Sequence, residues 1–273
     1  MTVIVTDSSV YLPRKKAEAL HLRVVPMGYT VNGRVCSEGY PEHLEPFFQE
    51  YGADEAACST FQTPPHVWRG VFSELLAGGH RIVCVTMSSG LSGNYSSALS
   101  AAKEFSGDRL EVVDSRTTAG GLAFLVERAT ELACAGESIS SIRQEIETLR
   151  DRTGIVFTVE AMEPLRKSGR LGALRQSVGT ILNIRPVLRC KDGKLQADTL
   201  VRGRHAQVEE IAKRVPADAV AVVVHRFGPS QGAEELRALL RAKCPALRVE
   251  LREIGPVVGI HLGLHAYGAA FLR

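Results

Sequence analysis

Four short apolar runs, at residues 3–5, 23–26, 82–85 and 110–113, alternate with stretches of helical periodicity at about 14–20, 42–50, 65–77, 92–105 and 117–135. That alternation leaves few architectures open. Strand, crossover helix and strand in repetition predict an α/β fold whose first half is a parallel sheet with helices on both faces. Ligands of such sheets gather beyond the carboxyl ends of the strands, where Asp7, residues 88–92 and Asp114-Ser115 fall.

Near 137–154 the pattern changes. A polar helix at 139–150 leads into Gly154-Ile155-Val156-Phe157-Thr158-Val159, which reads as a strand of a second unit. Residues 187–190 and 195–201, joined by Asp192-Gly193, predict a hairpin, because an Asp-Gly pair suits the left-handed backbone of a two-residue turn. Helix, strand, helix and strand follow at about 206–214, 219–224, 231–242 and 247–253. The expected organisation is an N-terminal α/β domain over 1–152 and a smaller mixed α/β layer over 153–273, with the ligand between them. Residues near 58–66 are expected to pack with the second unit.

The segment Ser88-Ser89-Gly90-Leu91-Ser92-Gly93-Asn94-Tyr95 directly follows the apolar run at 82–85 and opens a helical stretch. Small and hydroxylic residues at a strand-to-helix junction place backbone N–H groups and hydroxyl donors at one end of a sheet, a setting that holds an anionic or carbonyl head group. An ordinary Ser/Asn helix cap is the simpler alternative.

This segment resembles a signature of the DegV family, fatty-acid-binding proteins that serve bacterial fatty acid kinases. Other segments match in order: Asp7-Ser8-Ser9, the turn Ser59-Thr60-Phe61-Gln62-Thr63-Pro64, residues 165–172 (Leu-Arg-Lys-Ser-Gly-Arg-Leu-Gly), Leu182-Asn183-Ile184-Arg185-Pro186, and Gly255-Pro256-Val257-Val258-Gly259-Ile260-His261. The resemblance spans residues 1–273. It implies a long-chain fatty acid, such as palmitate, in a buried tunnel, with its carboxylate bound by Thr60, Ser92 and His261. It also implies that Arg170 and Arg202 engage a separate ATP-dependent kinase or the transferring phosphoryl group. The acyl phosphate would then pass toward phospholipid synthesis, with a transient membrane or acyltransferase encounter. On this reading the chain is a carrier and not, alone, an enzyme. Phe61 and Thr63 depart from the family's usual Ser and Pro, and Leu264-His265 stands where the family has Pro-Gly.

The residues themselves support simpler roles as well. Thr60 suits a helix start with prolines in its first turn, and arginines such as Arg170, Arg202 and Arg204 are ordinary surface charges. His261 lies between Gly259 and Gly263, where backbones approach closely. His261 and His265 have i,i+4 spacing, but Gly263 argues against a stable helix there and no H-E-x-x-H glutamate is present, so no metal is expected. A Ser–His–Asp acyl-ester hydrolase using Ser92 and His261 is the runner-up; its G-x-S-x-G elbow fails because Asn94 stands where the second Gly is needed. A small-molecule-responsive regulator is a third class.

Composition excludes other classes. The formal net charge is +3, from 33 Lys and Arg against 30 Asp and Glu, and without a basic stripe nucleic acid is not an expected partner. Cys36, Cys58, Cys84, Cys134, Cys190 and Cys244 form no C-x-x-C pair, which fits a reducing compartment. With neither a basic leader nor a long apolar run, a cytoplasmic location is expected. No P-loop or dinucleotide fingerprint appears, so neither ATP nor another cofactor is expected to bind this chain. Removing roughly 14 methylenes from water at about 0.8 kcal/mol each gives on the order of 11 kcal/mol of gross driving force, provided hydrogen bonds offset the cost of burying the carboxylate.

Overall fold

The computed structural model describes residues 1–52, 57–170, 184–243 and 245–273. Leu171-Gly172, Leu182-Asn183 and Cys244 lie outside them. The first half runs β1 (Thr2–Asp7), α1 (Arg14–Ala19), β2 (Arg23–Val25), β3 (Gly28–Val31), β4 (Arg34–Ser37), α2 (Glu45–Tyr51), β5 (Ser59–Phe61), α3 (Pro65–Ala77), β6 (Arg81–Thr86), α4 (Asn94–Ala102), β7 (Leu110–Asp114), α5 (Ala119–Cys134) and α6 (Ile139–Leu149). The second half runs β8 (Thr153–Thr158), α7 (Glu163–Ser168), β9 (Ile184–Lys191), β10 (Lys194–Arg202), α8 (Arg204–Arg214), β11 (Ala221–Arg226), α9 (Gln231–Lys243), β12 (Glu250–Glu253), α10 (Pro256–Leu262) and β13 (Tyr267–Leu272).

Strands β2-β1-β6-β7 form a parallel sheet in that order. Successive side chains of a strand point to opposite faces, and both faces are apolar. Val3, Val5, Ile82 and Cys84 pack with Trp68 and Phe72 of α3 and Ala98 and Ala101 of α4. Ile4, Val83 and Val85 pack with Leu122 and Leu125 of α5 and Ile142 and Ile146 of α6. Helices therefore cover both faces, as the alternation predicts. The strand order reverses direction between β1 and β6, which opens a crevice beyond their carboxyl ends.

The second sheet, order β10-β9-β8-β13-β11-β12, is antiparallel except for β11 with β12. It is the wider of the two, although its stretch of sequence is shorter. One face carries α8 and α9, with Ile211, Leu236 and Leu240 against Val222 and Val224. The other face meets α5. Phe124 of α5 packs on Val223 and Ala270, so α5 is buried between the two sheets along most of its length. Asp192 and Gly193 both adopt positive φ, 50° and 76°, and close the β9–β10 hairpin in the left-handed turn read from the sequence.

Four strands escaped the periodicity. Strands β3, β4 and β5 form a small antiparallel sheet, order β4-β3-β5; each has three or four residues, too few to display a period. Strand β13 escaped because its Gly268-Ala269-Ala270 core carries little side-chain signal. Thr60 is not at a helix start: it lies within β5, paired with Tyr29, and α3 begins later, at Pro65. The region around Gly263 also differs from expectation, because His261 sits in the last turn of a short helix, α10, which Gly263 terminates at φ 78°.

The small sheet is fastened at Glu38, just past β4. Its buried carboxylate accepts from the Ser8 hydroxyl at 2.6 Å, the Tyr11 hydroxyl at 3.3 Å and the Val257 N–H at 2.8 Å, joining the end of β1 to the start of α10. Burial pushes this carboxyl up to about 7, against those donors. A carboxyl raised in the folded state contributes stability that is fully present below its unfolded value, near 4.5, and is lost as pH rises through about 7. Glu38→Gln is therefore expected to gain thermal stability relative to the wild type between pH 5 and pH 8. A difference in Tm that stays constant across that range would contradict the assignment.

Candidate functional site

The crevice at the ends of β1 and β6 is organised by Asp7, a fully buried carboxylate. It accepts from Ser9 N–H at 3.1 Å, Ser9 Oγ at 2.6 Å, Met87 N–H at 2.8 Å and Asn94 Nδ2 at 2.9 Å. Burial raises its pKa, and these hydrogen bonds act in the opposite direction. Asn94 extends the chain of bonds, its Oδ1 accepting from Thr63 N–H at 3.1 Å. Thr63 Oγ1 in turn donates to Pro26 O at 2.9 Å. The loop after β6 and the segment after β5 are thus held against each other. A proline at position 63 would lack the N–H that Asn94 receives, so the departure from the family's usual residue has its own partner. Phe61 does too: its ring covers Gly28, its cross-strand neighbour, where a Cβ would sit 1.9 Å from the ring.

The serine-rich loop divides its work. Ser88 Oγ donates to Gly193 O at 2.7 Å, docking the tip of the β9–β10 hairpin. Gly90 permits that approach, since a Cβ there would lie 2.4 Å from the same carbonyl. Ser89 binds Asp114 through N–H and hydroxyl. Ser92 Oγ accepts from Asn94 N–H at 3.2 Å, so its own O–H proton is the one a ligand oxygen could take.

Between the two sheets lies a cavity of about 410 Å³, within the range of small-molecule sites. Its walls are mainly apolar, with Met27, Met87, Leu91, Phe157, Leu195 and Ile254 among them. Thr60, Ser92, Arg170 and His261 line the same cavity. Thr60 Oγ1 and His261 Nε2 are 2.7 Å apart, although 201 residues separate them in the chain. Gln62 belongs to the rim as well, its side chain lying where a Cβ on Gly93 would stand. Arg202 is elsewhere. It lines a separate cavity of about 340 Å³ with Arg185, Arg204 and His265. His265 points away from His261, its Nδ1 2.6 Å from Pro229 O.

Burial and then the nearby Arg170 charge lower the pKa of His261 to about 4. The ring is neutral near pH 7, able to donate from one nitrogen and accept at the other. This geometry does not favour the hydrolase alternative: His261 Nε2 is engaged by Thr60, Ser92 Oγ by Asn94 N–H, and Asp114 by Ser89.

The comparisons with known proteins agree with this architecture. A family model described as "Uncharacterised protein, DegV family" matches residues 1–273. The chain belongs to the DegV family. A DegV domain-containing protein of Deinococcus radiodurans is 33% identical over 272 residues, covering 98% of this chain and 96% of that protein. A Thermus thermophilus DegV-family structure described for its fatty acid binding is 30% identical, covers 100% of this chain and 99% of its own, and superposes with a TM-score of 0.88. A lipid-binding DegV protein of Thermotoga maritima, 23% identical over 99% of this chain and 98% of its own, has the same fold with a TM-score of 0.88. Among the described residues, no helix is long and apolar enough to cross a membrane.

Because the folded pKa of His261 lies below the ordinary 6.5, this side chain contributes stability that is lost as pH falls from about 6.5 toward 4. The His261 ring is expected to titrate near 4 by NMR, and Arg170→Ala should move the midpoint upward. A wild-type midpoint near 6.5 would show the ring to be solvated and distant from Arg170.

Proposed function

We propose that this protein binds a long-chain fatty acid between its two sheets, with the carboxylate at Thr60, Ser92 and His261, and presents it to a separate ATP-dependent fatty acid kinase. The observation that carries the reading is the pairing of Thr60 with His261 on the wall of a largely apolar cavity. A 30%-identical relative described for fatty acid binding supports it. The cavity supplies the hydrophobic term, and hydroxyl and imidazole donors offset the cost of desolvating the carboxylate. Thr60, Ser92 and His261 are only partly buried, so the head group would sit where a partner can reach it.

Arg170 is exposed beside this cluster, positioned to steady a phosphoryl group at the carboxylate; a guanidinium fork suits phosphate oxygens. Arg202, in its separate basic pocket, suits the docking of an acidic surface of the kinase. The acyl phosphate would leave on this carrier toward phospholipid synthesis.

Denaturing extraction and mass spectrometry of the purified protein are expected to yield a C14–C18 acid. Finding no lipid, together with no saturable uptake of such acids, would overturn the proposal. Thr60→Ala combined with Ser92→Ala should weaken binding by roughly 2–5 kcal/mol through loss of charge-assisted donors.

With a cognate kinase and ATP, Arg170→Ala and Arg202→Ala should each slow acyl phosphate formation while leaving acid binding nearly intact. Salt sensitivity should distinguish them: a steering role for Arg202 weakens with ionic strength, and a closed phosphoryl contact for Arg170 does so much less. Wild-type rates in both variants would remove the arginines from the reaction.

A further inference from the structure

The inner wall of the cavity is not entirely hydrocarbon. His225, near the end of β11, lies on the face of the sheet that meets α5, and both the cavity and the start of α5 touch it. It is 8% exposed, and among the described residues neither ring nitrogen makes a well-formed hydrogen bond, the Arg252 backbone offering it only a weak one that the burial of the ring outweighs. Burial, and then the charge of Arg252, push its pKa to about 3, so the ring is neutral. Gly120 makes room for it: a Cβ there would stand 2.8 Å from Nε2. Thr118, also 8% exposed, lines the same cavity. It precedes the first residue of α5, yet its side chain makes no capping bond and its Oγ1 has no partner among the described residues. The first-turn N–H groups of α5 begin beside it and have no acceptor within the helix. Ala119, with φ 48°, lines this wall too.

Unpaired polar groups in an apolar interior are costly and are normally satisfied. A plain alkyl chain gives neither His225 nor Thr118 a partner. A hydroxyl on that chain both donates and accepts, and so matches a neutral imidazole and a threonine hydroxyl. We propose that His225 and Thr118 form a second polar subsite inside the cavity, which takes a hydroxyl group carried along the chain of a long-chain fatty acid. This rests on the fatty-acid reading above and adds a specificity that the carboxylate cluster does not supply. Neither residue belongs to that cluster.

The test uses the intact chain, C16–C18 acids with a hydroxyl at successive positions, and the unsubstituted parent acids, with affinities read by displacement of a fluorescent fatty acid. One positional isomer is expected to bind about tenfold more tightly than the others and no more weakly than its parent, the scale of one well-made buried hydrogen bond. His225→Phe should remove that preference while leaving the parent acid bound as well or better. Thr118→Val should lower the preference in the same direction, and because the Thr118 side chain caps nothing, this variant carries the comparison should His225→Phe fail to fold. Equal penalties for every hydroxylated isomer in the wild type and in Thr118→Val would overturn the subsite, showing the two groups to be satisfied by water, and would leave fatty acid binding standing. Absence of binding by the parent acids would overturn both readings.

Discussion

A single buried carboxylate sets the geometry on which the rest of the site depends. Asp7 ends the first strand at the crevice where the parallel sheet changes direction, and it is satisfied there by donors from the loops after β1 and β6 and from the first residue of α4. Unpaired, such a group would cost several kcal/mol in an apolar interior. Paired four times, it turns a flexible serine-rich loop into a fixed one and, through Asn94, fixes the segment that carries Thr60. The residues proposed to meet the carboxylate are thus held by a group that does not itself line the cavity.

The second organising element is α5. An amphipathic surface helix has one apolar stripe, whereas this one is buried on every side from Ala119 to Val126, where a sheet lies on either side, and carries charges only beyond. The cavity follows from that sandwich. Where α5 begins, Thr118 and Ala119 line the cavity, while Gly120 is filled by His225 and Ala270, and the space is lined from both halves of the chain. The hairpin tip at Gly193, received by Ser88, closes the two halves together at a second point.

Much of this was legible in the sequence, and the parts that were not have physical reasons. The parallel sheet showed itself because buried strands produce contiguous apolar runs, and the hairpin because Asp192-Gly193 suits only a few turn geometries. The junction at residues 88–94 was visible as a cluster of small hydroxylic residues, although their division of labour was not: Ser88 and Ser89 serve the scaffold, and Ser92 faces the cavity. The small sheet was hidden by strands too short for periodicity. Gln62 had no signal beyond its neighbours, and its place on the rim follows from the bare Cα of Gly93. His225 was illegible because a histidine in an apolar strand, Ala-Val-Val-Val-His, reads as a core residue until the cavity beside it is known. Arg170 and Arg202, grouped by resemblance, line different cavities.

The bond between Thr60 and His261 closes a loop of 201 residues. Contacts so distant in sequence form late, because the entropy of closing the loop is lost before anything is gained. During synthesis the apolar walls of the first half are therefore exposed to water before the helix bearing His261 exists. The chain emerging from the ribosome lacks the Thr60–His261 pair until α10 has been made. A fatty acid bound as proposed would be taken up only after α10 has folded, and once held it would add to the stability of the folded state by mass action.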